Sequence, residues 1–516
     1  MLIKNGTIID GSGEKMFSSD IRIGQGTITQ IGSLSPKNNE EVLDVSGLYI
    51  APGFIDILNH SDAYITLFEN PAQESLLQQG ITTILMGNCG SSLAPLVDGA
   101  FINSIQKWGD TSKINVNWLS VKEYIRELNK HKFGVNLATL VGHSTVRRAL
   151  VGDEEKTLTK QEEQQMNYMI ESGLREGAFG VSSGLAYSHG KNANAKELRS
   201  LMRLVKKYNG LYSFHIRNEA EEFLSSINEI VALEKETKTN IQLSHLKVVE
   251  KKFWGQFKDA IDLIEKNKNI DFDVYPYNFT ASVAYTFLPH WASKGGNSTL
   301  LPAIKDTEKK DKLINDMKGD SYSYADMVVA MGNISNTYFG KKIGDIAKSQ
   351  NAEAEKVFLD LILASDNRLV VFSPTIDEKN VEMAIKSEKS IISSASAGYN
   401  QKHRLNGALV HPRSFGAMPK FLNKYALDEK LLSLEKAIHK ITSKPAEKIG
   451  LKKRGKIKKG YFADMVIFDP KKIEDKADLN NPYRYPVGIS WVLVNGKVAV
   501  ENGTLKNKNG QILLRK

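Results

Sequence analysis

The chain shows two textures of apolar and polar positions. Residues 1–50 alternate apolar and polar side chains around glycine turns, in Leu2-Ile-Lys-Asn-Gly-Thr-Ile-Ile9, Ile21-Arg-Ile-Gly-Gln-Gly-Thr-Ile28 and Val42-Leu-Asp-Val-Ser-Gly-Leu-Tyr-Ile50. Such alternation predicts short antiparallel strands. Residues 449–516 repeat it in Ala463-Asp-Met-Val-Ile-Phe-Asp469, Ile489-Ser-Trp-Val-Leu-Val-Asn-Gly-Lys-Val498 and Gln511-Ile-Leu-Leu514. Between these ends, apolar runs at 53–60, 81–88, 135–142, 178–184, 211–215, 241–245, 270–275 and 390–395 alternate with amphipathic stretches such as 161–175 and 195–207. Strands buried on both faces read as apolar runs, and helical stretches between them make βα units. The pattern predicts an α/β fold. Residues 51–448 form a TIM-like (β/α)8 barrel, inserted into one small β-sandwich domain built from 1–50 and 449–516. The interval from 275 to 390 is too long for one βα connection. It carries Tyr285-Thr-Phe-Leu-Pro-His-Trp291, the pair Gly295 and Gly296, and further helical stretches, so about 280–345 reads as an inserted lid.

Length agrees with this plan: 516 residues exceed a barrel of about 250 residues by an insertion and a side domain. The apolar fraction of 41% is enough for a sizeable core. Net charge is +10, but the densest basic cluster, Lys452-Lys-Arg-Gly-Lys-Ile-Lys-Lys459, centres on a glycine turn without interleaved aromatics. It reads as a solvated face, so nucleic acid is not an expected partner. A basic surface does steer small anionic substrates. There is neither a leader pattern nor an apolar run of membrane-spanning length, so no membrane partner is expected. The single cysteine excludes an internal disulfide and suits a reducing, cytoplasmic setting.

The candidate chemistry lies at strand ends. Cys89 closes Ile81-Thr-Thr-Ile-Leu-Met-Gly-Asn-Cys89, His215 closes Gly210-Leu-Tyr-Ser-Phe-His215, and His245 closes Asn240-Ile-Gln-Leu-Ser-His245. Three such ligands at C-terminal strand tips occupy the face where a (β/α)8 barrel keeps its chemistry. One thiolate and two imidazoles suit Zn²⁺ and leave a fourth position for water. His143, which ends the third run, reads equally as pocket lining or as support for the barrel top.

Several stretches, in order, carry a family resemblance: Ala51-Pro-Gly-Phe-Ile-Asp56, Gly87-Asn-Cys-Gly90, Leu174-Arg-Glu-Gly-Ala-Phe-Gly-Val-Ser-Ser-Gly-Leu-Ala-Tyr187, His215-Ile-Arg-Asn-Glu219, Ser244-His-Leu-Lys247, Asp273-Val-Tyr-Pro-Tyr277, His411-Pro-Arg413 and Gly460-Tyr-Phe-Ala-Asp-Met-Val-Ile-Phe-Asp469. The chain resembles the amidohydrolase superfamily and, within it, the D-aminoacylase (N-acyl-D-amino-acid deacylase) branch. The resemblance implies a hydrolase of N-acyl D-amino acids, with one tight Zn²⁺ held by Cys89, His215 and His245. It implies that Lys247 and Arg413 clamp the substrate carboxylate, with Tyr187, Tyr277 and Ser282 as hydroxyl partners.

Two positions depart from that pattern. The superfamily's His-x-His on the first strand is Leu58-Asn59-His60 here, which leaves His60 alone for a second, weaker metal position. The catalytic aspartate of the eighth strand falls at Ala395, and a methyl group cannot move a proton. The resemblance therefore implies a nearly inactive chain: an inactivated variant of a hydrolase or a natural binder of N-acyl amino acids. A cyclic-amide hydrolase of the hydantoinase or dihydroorotase kind is a further alternative. The broken histidine pair, and a cysteine where those enzymes use a carboxylated lysine, argue against it.

Overall fold

Local signals in the sequence set where the barrel helices begin. Thr159 Oγ1 accepts from the Glu162 amide and Glu162 Oε2 accepts from the Thr159 amide, opening the helix Lys160–Arg175. Ser120 and Glu123 form the same reciprocal cap for Val121–Leu128. Each cap contributes about 1 kcal/mol. Met166, Ile170 and Leu174 recur at helical spacing and are buried, so the longer helix packs its apolar face on the barrel.

The computed structural model describes residues 1–99, 114–152, 156–293, 297–319 and 322–515. Its barrel strands are Phe54–Asp56, Ile81–Met86, Asn136–Thr139 with Val141–Gly142, Gly180–Gly184, Leu211–His215, Asn240–Leu243, Ile270–Val274 and Ser390–Ile392. The neighbours pair in parallel throughout. The third strand breaks at Leu140, its first piece pairing with the second strand and its last with the fourth. A parallel bridge between Asn59 and Ser396 brings the first and eighth strands together. This is the α/β barrel that the apolar runs predict.

Buried aspartates tie the strand tips together. Asp56 accepts from the Ser394 amide (2.9 Å), the Ser394 hydroxyl and Asn59 Nδ2, which fastens the first strand to the eighth. Asp273 accepts from the His245 amide at 3.0 Å, Gln242 Nε2 at 3.1 Å and Ser393 Oγ at 2.7 Å, which fastens the seventh strand to the sixth and eighth. Burial pushes both carboxyls up to about 6. Their donors supply the hydrogen bonds that water would otherwise provide.

Both termini build one sheet of nine strands, with Leu2–Ile8 third from one end of its main path and Tyr49–Pro52 joining it to Met465–Phe468. The sheet curls, so that Thr27 bridges Phe462 and the Ile28 amide donates to Tyr461 O, around a core including Ile3, Ile21, Ile50, Met465 and Leu493. The all-antiparallel expectation fails at two pairs. Val42–Asp44 and Tyr49–Pro52 run parallel to Leu2–Ile8 because the chain crosses to that strand's other side after Thr27–Gly32. Arg454, from the basic cluster, is buried: it pairs with Asp464, which also binds Asn136 at the base of the third barrel strand.

The stretch inserted between the seventh and eighth barrel strands has an antiparallel sheet of its own, Thr280–Val283, Val370–Ser373 and Val328–Met331, with Val370–Ser373 in the centre. Its core runs from Val283 to Phe372 and includes Phe287, Tyr324, Val329 and Phe358. The packed unit inserted between the seventh and eighth strands thus runs past residue 345, because its central strand finds backbone partners on both sides. The Gly295 and Gly296 pair lies outside the described residues. No helix among the described residues is long and apolar enough to cross a membrane.

Candidate active site

Cys89, His215 and His245 are all buried and each offers one ligand atom, the three lying within 4.8 Å of one another. Cys89 Sγ is 3.4 Å from His245 Nε2, and His215 Nδ1 is 3.0 Å from the same atom. A tetrahedral Zn²⁺ with ordinary bond lengths requires about 3.6 Å between S and N and about 3.3 Å between two N. These two edges and the Cys-His-His donor set therefore fit that metal. Burial pushes the Cys89 thiol well up, and it lowers His215 to about 4, so both imidazoles stay neutral and keep a lone pair to offer.

The segment that presents Cys89 is fixed from behind. Ser182 Oγ accepts from the Gly90 amide at 2.9 Å and donates to Gly87 O, while the Gly87 amide donates to Asp62 Oδ2 at 2.9 Å. Cys89 has φ 53°, His245 φ 37° and Ala395 φ 47°, a left-handed region that side-chain-bearing residues rarely adopt. Strain of this kind persists where surrounding structure holds it, often at functional sites. At Gly184 a Cβ would lie 2.2 Å from Cys89 O and 2.7 Å from Tyr187 Cδ2. Gly184→Ala is therefore expected to cost about 1–3 kcal/mol and to displace Cys89. Thermal unfolding, together with zinc affinity by chelator competition, checks this; unchanged values in both would contradict it.

A cavity of about 300 Å³ opens beside the two imidazoles of the trio, lined by His60, Tyr187, His215, His245, Lys247, Tyr275, Ser282 and Arg413 among others. The inserted stretch contributes Tyr285, Phe287, Leu288 and Tyr322 to its wall. Arg413 stacks its guanidinium 4.4 Å over the Tyr275 ring, and its buried Nε has no hydrogen-bond partner among the described residues. Lys247 Nζ donates to Glu219 Oε1 at 2.5 Å and lies 3.1 Å from His245 Nδ1. Tyr187 packs on the His215 ring at 4.7 Å between centroids, and Ser282 Oγ is 3.0 Å from Thr286 Oγ1. His60 Nε2 lies 4.0 Å from Cys89 Sγ; burial and the nearby Arg413 depress its imidazole to about 3.

Tyr277 does not line this cavity. Its amide donates to Tyr275 O at 2.9 Å, a tight turn about Pro276 that leaves Tyr275 facing the cavity. Tyr277 lies instead under Lys420, whose Nζ is 4.0 Å from its ring centroid. His143 is buried outside the cavity, 2.9 Å from Ser183 Oγ and 2.8 Å from Glu197 Oε1, which makes it support for the barrel top. Leu58 is fully buried in the core, and Ala395 is buried between two anchored serines. The sequence reading missed Tyr64 in the cavity wall and the central place of Glu219. Glu219 stands four residues after His215, in a stretch already singled out, and that spacing is the signal that could have revealed it.

The profile of the amidohydrolase family matches residues 41–282 and 397–500, more than half of the sequence. The chain belongs to the amidohydrolase family. The unmatched middle of this amidohydrolase holds most of the inserted stretch and the eighth strand with Ala395. D-aminoacylase of Alcaligenes xylosoxydans xylosoxydans is 28% identical to it over 522 residues, which cover 100% of this chain and 97% of that protein. N-acyl-D-glutamate deacylase of the same organism is 29% identical, with 100% and 96% covered. The fold is similar to the crystal structure of N-acyl-D-glutamate deacylase from Bordetella bronchiseptica, complexed with zinc and a phosphonate inhibitor that mimics the reaction's tetrahedral intermediate. The TM-score is 0.83 at 27% identity, over 100% of this chain and 99% of that one.

Proposed function

We propose that this amidohydrolase binds N-acyl D-amino acids and is built to hydrolyse their amide bond to a carboxylate and the free D-amino acid. The observation that carries the reading is one cavity lined by two imidazoles of the buried Cys-His-His trio and by Arg413, whose Nε is buried without a partner among the described residues. Two relatives of near-complete overlap, named for D-amino-acid substrates, support the stereochemistry. A divalent metal such as Zn²⁺, held by Cys89, His215 and His245, supplies carbonyl polarisation and water activation when bound. Leu58 offers no lone pair, so His60 stands alone for any second ion. One tight ion is the expected stoichiometry.

The chain's own residues bind and orient the substrate. Arg413 presents a planar fork to the substrate carboxylate, already flattened against Tyr275. Lys247 adds a point charge, and Tyr187 and Ser282 offer hydroxyls from other parts of the wall. Proton transfer is the step these residues serve poorly. Lys247 beside Glu219 holds that carboxyl well below its usual range, and His60 is depressed to about 3, so both are weak bases. The aspartate that would take this task belongs at Ala395. The left-handed backbone there supports the assignment, because Asp adopts that conformation more readily than Ala. General acid–base assistance is worth about 10²–10⁴-fold, so the chain as it stands is expected to turn over slowly.

Binding does not require turnover, which gives a direct test. Arg413→Ala should weaken N-acetyl-D-leucine by about 1.5–3 kcal/mol, the worth of hydrogen bonds to a charged group. Titration calorimetry on the zinc-loaded protein measures this. Equal affinity with and without Arg413 would sink the assignment of the carboxylate site.

A further inference from the structure

We propose that Glu219 is the positioning residue that orients both imidazoles of the metal trio and holds Lys247, through one oxygen. Glu219 Oε1 lies 3.6 Å from His215 Nε2, 3.5 Å from His245 Nδ1 and 2.5 Å from Lys247 Nζ. The other ring nitrogens, His215 Nδ1 and His245 Nε2, face each other at 3.0 Å on the Cys89 side. A neutral imidazole has one N–H and one lone pair, and a carboxylate only accepts. A metal held by all three ligands requires each ring to turn its N–H toward Glu219 and its lone pair toward Cys89; at His245 that Nδ1–H shares the Glu219 oxygen with Lys247 Nζ, a donor 3.1 Å away that must then turn from Nδ1. The two imidazole separations exceed a hydrogen bond. What acts across them is the carboxylate charge, in a buried setting where screening is weak.

The backbone places this oxygen. Glu219 O accepts from the Val249 amide at 2.9 Å, which joins the loop after the fifth strand to the loop after the sixth. Asn218 holds the same loop, its amide donating to Ser226 Oγ at 3.0 Å and its Oδ1 accepting from the Ala220 amide at 2.7 Å. One carboxylate thus reaches the ligand of each strand and the lysine two residues beyond His245. Partners that orient metal-bound histidines in this way typically change metal affinity by about 10–100-fold when removed.

The inference rests on the reading that the trio holds a metal, and the experiment separates the two. Zinc affinity is measured by chelator competition for the full-length chain, Cys89→Ala, Glu219→Gln, Glu219→Asp and the remote surface control Glu236→Gln. The visible spectrum of each Co²⁺-loaded protein is recorded alongside, and apo-protein melting establishes that every variant is folded. Glu219→Gln is expected to weaken zinc by about 10–100-fold and to shift the Co²⁺ bands. Glu219→Asp should recover part of the affinity, and Glu236→Gln should match the unchanged chain. Zinc affinity and Co²⁺ bands unchanged in a folded Glu219→Gln protein would overturn the inference while leaving the metal site intact. Zinc affinity that is equal in the unchanged chain and in Cys89→Ala would overturn both.

Discussion

Ala395→Asp is expected to raise hydrolysis of N-acetyl-D-leucine by at least about a hundredfold, the lower end of what a positioned general base contributes. The backbone conformation favours the substitution. Position 395 already has φ 47°, and the residues around it are anchored: Ser394 to Asp56, Ser396 to Ser414, and Ser396 O to the His60 amide at 2.7 Å. Substrate affinity should change much less, because Arg413 and Lys247 are untouched. A paired measurement of turnover with the aspartate and affinity without it separates an inactivated hydrolase from a natural binder. In a natural binder, restoring one carboxylate recovers little. Full zinc occupancy and measurable affinity with no gain in rate would decide for the binder.

The second large effect concerns Cys89. Replacing it by alanine removes the only sulfur ligand and leaves two imidazoles. Zinc affinity is expected to fall by at least about a thousandfold, more than the 10–100-fold of an orienting partner. Burial holds the metal-free thiol protonated, so metal uptake must release that proton. Zinc affinity of the unchanged chain should accordingly climb with rising pH, and that slope should flatten in Cys89→Ala. Competition titrations at several pH values report both quantities. A Cys89→Ala protein that keeps nanomolar zinc, or an unchanged slope, would remove the thiolate from the site.

Much of this architecture is legible in the sequence because burial on both faces writes parallel strands as apolar runs. Phe54, Ile81, Leu211 and Ile391 are all fully buried, and the residues that follow such runs fall on the barrel's chemical face. Cys89, His215 and His245 could be chosen for that reason, without knowledge of their mutual distances. What stayed hidden depends on chain direction and side-chain reach. The turn about Pro276 exchanges Tyr277 for Tyr275, and nothing in the spacing Tyr-Pro-Tyr says which ring enters the cavity. Glu219 stands in the sequence only as the end of the motif His215-Ile-Arg-Asn-Glu219. Its place beside His215, His245 and Lys247 emerges only when two strand-end loops are brought together. The far edge of the insertion is not legible in local periodicity, because Val370–Ser373 pairs with strands distant in sequence.

The most direct test of the account is anomalous scattering at the zinc edge from crystals of the full chain grown with stoichiometric zinc. The account predicts one strong peak within bonding distance of Cys89 Sγ, His215 Nδ1 and His245 Nε2. A map with no peak at those atoms, or with the zinc held elsewhere and the trio empty, would contradict it.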